Sequence, residues 1–114
     1  MVSIHLDMKT ISIGKDFSRA PIGRYESDGP YNGAKFRDKL LKPALDTGEL
    51  VKIIIDDAEG YGSSFLEEAF GGLIRVHHYK KKELLKQIQI EYSLPEFKIY
   101  DKLITKYVKE AQCT

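Results

Sequence analysis

LVKIIIDDAEGYGSSFLEEAFGGL, residues 50–73, decides the architecture: an apolar β-branched run passes through a glycine-rich turn into a helical pattern that opens on two serines. Val51, Ile53, Ile54 and Ile55 make the run almost continuous, as in a strand covered on both faces of an α/β sheet. Asp56 and Asp57 end it. Gly60 and Gly62 allow a sharp turn, and Ser63 or Ser64 can supply the oxygen that caps the next helix. That helix would turn Phe65, Leu66, Ala69, Phe70, Leu73 and Ile74 inward. Gly71 and Gly72 within it each cost about 1 kcal/mol relative to alanine, so they predict a close backbone contact. Function in α/β folds gathers at strand ends, which makes the turn from Gly60 to Phe65 the candidate working surface.

Outward from this stretch the pattern continues. Val2, Ile4, Leu6 and Met8 alternate with polar residues, and Ile11 and Ile13 repeat the alternation, so the chain begins as a strand or hairpin. DFSRAPIGRYESDGPY, residues 16–31, is rich in Gly, Pro, Asp and Ser and reads as an ordered functional loop, with room for a strand near residues 23–26. Asn32 can cap a helix to about Leu45 with Phe36, Leu40, Leu41, Ala44 and Leu45 as its stripe, and Pro43 should kink or end it. Lys81 to Gln87 extends or restarts helix, and Ile88, Ile90 and Tyr92 alternate as a strand near a sheet edge. Ser93 and Glu96 have capping-box spacing around Pro95, ahead of a helix with Phe97, Tyr100, Ile104, Tyr107 and Val108 on one side. Strands and helices therefore alternate, predicting a single α/β domain, 1–114, with a mixed, at least partly parallel sheet of four or five strands and three or four helices.

With 114 residues the chain can bury about two-thirds of its unfolded surface in one core. A net charge of +1, from 18 basic and 17 acidic residues, gives no global attraction to nucleic acid or to an anionic membrane. No signal-peptide pattern or membrane-spanning run occurs, and Cys113 has no second cysteine to pair with. A cytoplasmic protein without cofactor or metal is expected.

PIGRYESDGPYNGAKFR at 21–37 and IIIDDAEGYGSSFLEEAFGGL at 53–73, matching in order, resemble the prokaryotic STAS-like domain of unknown function. In the first block the resemblance rests on Gly23, Arg24, Asp28, Gly29, Gly33, Phe36 and Arg37; in the second, on Gly62, Ser63, Ser64, Phe65, Glu68, Phe70 and Gly71. That family is similar in turn to anti-sigma-factor antagonists (STAS domains), which bind a histidine-kinase-like ATPase and are phosphorylated by it. There the acceptor serine lies in Asp-Ser-Ser-Gly-Leu, and Gly62, Ser63, Ser64, Phe65 and Leu66 stand at the matching turn. The resemblance implies a non-enzymatic regulatory protein-binding module, with Ser63 and then Ser64 as phosphoacceptor candidates. Gly60, Tyr61, Gly62, Phe65, Glu67 and Glu68 would then meet the partner.

Local chemistry offers other readings. Ser64 and Glu67 have capping-box spacing, so the serines can be purely structural. A phosphate on Ser63 would suit a helix N-terminus and sit close to Glu67 and Glu68, adding repulsion towards an acidic or apolar partner. Asp56 and Asp57 could serve a metal-dependent phosphoacceptor or enzyme, although adjacent strand residues face opposite ways. Arg24, Asp28 and Arg37 would brace the loop. The basic run from Arg75 to Lys86, including His77 and His78 about 100° apart on a helix, gives a third reading as a nucleic-acid contact, against which the near-neutral charge and the single interleaved Tyr79 weigh.

Overall fold

Among the described residues three short strands carry the domain: β1 (Met8–Ser12), β2 (Leu50–Ile54) and β3 (Ile88–Glu91), hydrogen-bonded in the order β1-β2-β3 and parallel throughout. They are seen in a computed structural model that describes residues 8–113. The expected alternation through Val2, Ile4 and Leu6 lies outside the described residues. Among those described the sheet has three strands, not four or five, and is parallel rather than mixed, and β3 takes the edge expected of it.

The crossover from β1 to β2 holds helix α1, residues 33–45, and that from β2 to β3 holds α2, residues 63–75, followed by α3 (Lys81–Gln87). The C-terminal α4 (Lys98–Glu110) follows a 3-10 turn, Pro95–Phe97. Sequential parallel strands joined by right-handed crossovers place their helices on one face of a sheet. Accordingly α2 packs between α1 and α4, and Ile11, Val51, Ile53 and Ile55 join Phe36, Leu41, Phe65, Phe70, Leu73 and Ile104 in one core. The register aligns Ile11, Ile53 and Ile90 across the covered face.

The apolar run of β2 had suggested cover on both faces, and the structure corrects this. Val51 and Ile53 are buried, whereas Leu50, Lys52 and Ile54 remain partly exposed beside exposed Thr10 and Gln89. Alternate side chains of a strand point to opposite faces, and the described helices all lie on one. A cross-strand pair, Lys52 Nζ to Glu91 Oε1 at 3.8 Å, crosses the uncovered face.

Both long helices widen in the middle. In α1 the segment Arg37–Leu41 is π-helical, with Lys42 N–H donating to the Arg37 carbonyl, and α2 repeats this at Glu67–Gly71. Pro43 does not end α1, which runs on to Leu45. Proline cannot donate to the preceding turn, and the widened turn directly before it lets Lys42–Leu45 continue as helix. Asn32 caps α1 as expected, its Oδ1 accepting from Lys35 N–H at 2.9 Å.

Several local expectations change. Residues 18–31 contain a 3-10 turn, Glu26–Asp28, rather than a strand, and Asp28 Oδ2 accepts from Arg24 N–H at 2.8 Å, which fulfils its bracing role. Ser93 does not form a capping box: its N–H and hydroxyl both donate to Asp56 Oδ2, at 2.6 and 3.1 Å. His77 and His78 lie beyond the end of α2, where His78 takes a left-handed φ of 60°, so the helical projection does not apply to them.

Candidate functional site

At the end of β2 the chain passes through two aspartates that reach opposite neighbours. Asp56 holds the exit of β3 through Ser93 and Leu94. Asp57 holds the exit of β1, accepting from the Ser12 hydroxyl, from Gly14 N–H at 2.9 Å and from Lys15 N–H at 3.1 Å. The carboxylates thus clip the central strand to both flanking strands and share no partner. Backbone hydrogen bonds from Ser93 above all hold Asp56 below the usual carboxylate range. Among the described residues no cluster of three or more His, Cys, Asp or Glu could hold a metal ion.

The turn that follows is built on aromatic packing. Tyr61 stacks on Phe65 with ring centroids 5.8 Å apart, meets Tyr100 edge-on, and donates its hydroxyl to the Ile55 carbonyl at 2.6 Å. Burial pushes the Tyr61 phenol pKa well up, keeping it neutral. Gly60 adopts φ of 152°, and a Cβ there would stand 3.0 Å from the Tyr100 hydroxyl. Phe65 itself is fully buried, so its expected place on a docking surface is corrected: the core claims this ring.

Neither serine caps α2. The N-cap is Gly62, whose side is open, and no side-chain cap bond forms there. Ser63 and Ser64 are the first two helical residues, both exposed. The capping box between Ser64 and Glu67 is absent because Glu67 is engaged elsewhere: Arg24 Nη1 donates to its Oε1 at 2.5 Å and Arg75 Nη1 to its Oε2 at 2.7 Å.

Those contacts belong to an ion cluster joining the loop, α1 and α2. Glu68 is buried, with Oε2 accepting from Arg37 Nη1 at 2.5 Å and Oε1 accepting from Arg75 and Arg24 at 3.2 and 3.3 Å. Arg37, also buried, forks onto Asp38, which His77 Nε2 approaches at 2.7 Å. Glu68 therefore cannot meet a partner as expected, since it faces α1, and Arg37 bridges helices rather than bracing the loop. Arg24 likewise reaches the glutamates. The two helical glycines explain themselves here. A Cβ on Gly72 would collide with the Arg37 guanidinium, and one on Gly71 would lie 2.5 Å from Glu67 Oε2 and 3.4 Å from the Tyr107 carbonyl. The anticipated close contact is thus real, and charge as well as backbone supplies it.

This cluster escaped the sequence reading, although the spacing held a signal. Arg37 falls four residues after Gly33 and four before Leu41, and Glu68 falls three after Phe65 and four before Gly72, so opposite charges occupy the inward stripes. In the basic run, Arg75 joins the cluster and Lys81 Nζ donates to the Lys109 carbonyl, leaving Lys80, Lys82 and Lys86 exposed.

Burial tends to raise the Glu67 carboxyl, and hydrogen bonds from Arg75 and Arg24 outweigh it and hold the group below its ordinary range. Asp38 is lowered the same way, burial being outweighed by Arg37 and His77. A carboxylate with a folded pKa below its unfolded one stabilises the fold above the unfolded pKa and loses that stabilisation as pH falls through the folded value. Denaturant midpoints should hold steady around neutrality and decline below about pH 4. A Glu67→Gln variant should decline less steeply there, and an unchanged slope would contradict the coupling.

Three parallel strands backed by helices on one face, with an exposed serine turn after the central strand, define a small two-layer α/β domain. The family model described as a STAS-like domain of unknown function matches residues 32–92, more than half of the chain, and the protein belongs to that family. No curated protein and no solved structure matches it. Among the described residues no helix is long and apolar enough to cross a membrane.

Proposed function

We propose that this domain is a cytoplasmic regulatory module of anti-sigma-factor-antagonist type, which binds a histidine-kinase-like ATPase and is controlled by phosphorylation at the turn opening α2. The observation that carries this reading is that Ser63 and Ser64 are exposed while Gly62 takes the cap, so neither hydroxyl is needed to start the helix. In the modification a serine Oγ forms the new bond to the γ-phosphorus of ATP, the bond to ADP breaks, and the hydroxyl proton is lost. The docking surface comprises Gly60, Tyr61, Gly62, the two serines and the half-exposed Glu67; Phe65 and Glu68 support it from within.

Addition of about −1.5 to −2 charge at this surface would repel a partner that packs closely on it. The test is a pull-down of tagged protein from host lysate with and without ATP, reading co-purifying proteins and the intact mass of the bait. A kinase-like ATPase on the bait, with a phosphoryl mass on Ser63 or Ser64, is the expected result. Ser63→Ala combined with Ser64→Ala should keep the partner bound in ATP. If the wild-type chain carries no phosphate and the double variant still releases its partner with ATP, the switch is wrong.

A further inference from the structure

The net charge of +1 conceals a division along the chain. Before Arg75 nine basic residues stand against twelve acidic ones, and from Arg75 onward nine stand against five. Much of that excess is gathered on the C-terminal helix α4. At about 100° per residue, Lys98, Lys102, Lys106 and Lys109 fall within an arc of about 80° and along about 17 Å of its length. All four are exposed, while Ile104 and Tyr107, which pack on the core, lie on the opposite side. Among the described residues none of the four forms an ion pair, whereas Lys9, Lys35, Lys42 and Lys52 each do. At the far end Lys81 Nζ donates to the Lys109 carbonyl at 2.6 Å, which brings the start of α3, with exposed Lys80 and Lys82, to the end of the row.

A solvated helix face ordinarily mixes the two signs, because like charges three or four residues apart repel. Here Lys98 and Lys102, Lys102 and Lys106, and Lys106 and Lys109 all stand at those spacings. The acidic residues of the helix, Asp101 and Glu110, fall outside the arc. The row thus carries a repulsion that a polyanion laid along it would relieve.

We propose that this face of α4 docks the phosphate backbone of double-stranded DNA without reading its sequence. The make-up of the face selects that occupant. Protein interfaces are depleted of lysine at their centre and anchored by aromatic residues and arginine, which the arc lacks. A membrane-surface helix buries an apolar side in lipid, and that side of α4 is already packed on the core. Single strands are held by bases stacked on aromatic rings, and the tyrosines of α4 face away from the arc. Lysine meets a phosphate as a point charge, and with no acceptor it has nothing to offer the 2′-hydroxyls by which duplex RNA is recognised. Tyr100, which packs on Tyr61, also lies opposite the arc, so the row faces away from the serine turn and the proposal is independent of the switch.

The test titrates the whole chain onto a fluorescent DNA duplex by anisotropy, with salt raised from about 50 to about 200 mM. Four neutralised phosphates give a slope of log K on log salt of about −3.6, a loss of about 150-fold over that range. Lys102→Gln with Lys106→Gln should halve the slope, leaving a loss of about tenfold, and should weaken binding to unrelated duplexes alike. Lys98→Gln with Lys109→Gln should do the same. Lys15→Gln with Lys39→Gln removes equal charge from exposed positions outside the row and should keep the wild-type slope. No binding at the lowest salt, an unchanged slope in both row variants, or an equal drop in the control pair would each overturn the proposal. So would tighter binding of single-stranded DNA or of an RNA duplex of the same sequence, or capture by phosphatidylserine vesicles in place of DNA.

Discussion

Replacing Arg37 by methionine is expected to lower the unfolding free energy by about 3–5 kcal/mol, the loss that follows when one member of a buried ion pair is removed. Arg37 is 5% exposed and Glu68 1% exposed. Methionine fills much of the same space but leaves Oε2 of Glu68 in the interior without the bond at 2.5 Å, and its other oxygen keeps only the longer contacts to Arg75 and Arg24. Addition of Glu68→Leu to the Arg37→Met chain should recover much of the loss, because no uncompensated charge then remains inside. Urea titrations of the two single variants and the double variant form the required cycle. A loss below about 1 kcal/mol for Arg37→Met, the range of an exposed pair, would mean that the helix interface is wet and the pair ordinary.

Gly14→Ala is the second large effect, expected at about 2–3 kcal/mol of destabilisation from overpacking. A helical turn such as Ile13–Phe17 would ordinarily favour alanine by about 1 kcal/mol, so the prediction opposes propensity. The reason is contact with the next strand's exit: a Cβ on Gly14 would overlap the Asp57 carbonyl oxygen and lie 2.7 Å from its carbon and 2.8 Å from Asp57 Cγ. Gly14 N–H also donates to that carboxylate, so relieving the overlap breaks the clip between β1 and β2. The same turn seats Phe17 on Phe36, with centroids 5.2 Å apart, which extends the disturbance into the core. Thermal melts of Gly14→Ala and Asp57→Ala, alone and together, would separate loss of the carboxylate's bonds from the collision with the Asp57 carbonyl, which persists without that side chain. Melting unchanged from wild type in Gly14→Ala alone would remove Asp57 from its structural role.

Helix positions and inward faces were legible from spacing alone. Phe65, Leu66, Ala69, Phe70, Leu73 and Ile74 all proved buried, because a period near 3.6 beside an apolar strand leaves one way to hide them. The alternation of strands and helices was legible for the same reason. Besides the strand count, the cover of β2 and the place of Phe65, readings of single polar side chains failed. Ser93 and Ser64 have the spacing of capping boxes, yet Asp56 takes the first and the arginines take the glutamate of the second. Local spacing describes which bonds a side chain can make, and competition from distant residues selects among them.

By itself the sequence determined the α/β alternation and the turn at the end of the central strand, since periodicity and turn chemistry are local properties. Only the tertiary structure decided that Asp56 and Asp57 clip separate strands, that Arg37 and Glu68 meet inside, and that the serines stand free of capping. Residues 43, 31 and 45 positions apart must be brought together for those contacts, and the chain pattern around each residue carries no record of its partner. Burial then makes these distant pairs strong, because a charge removed from water requires its counterpart in place.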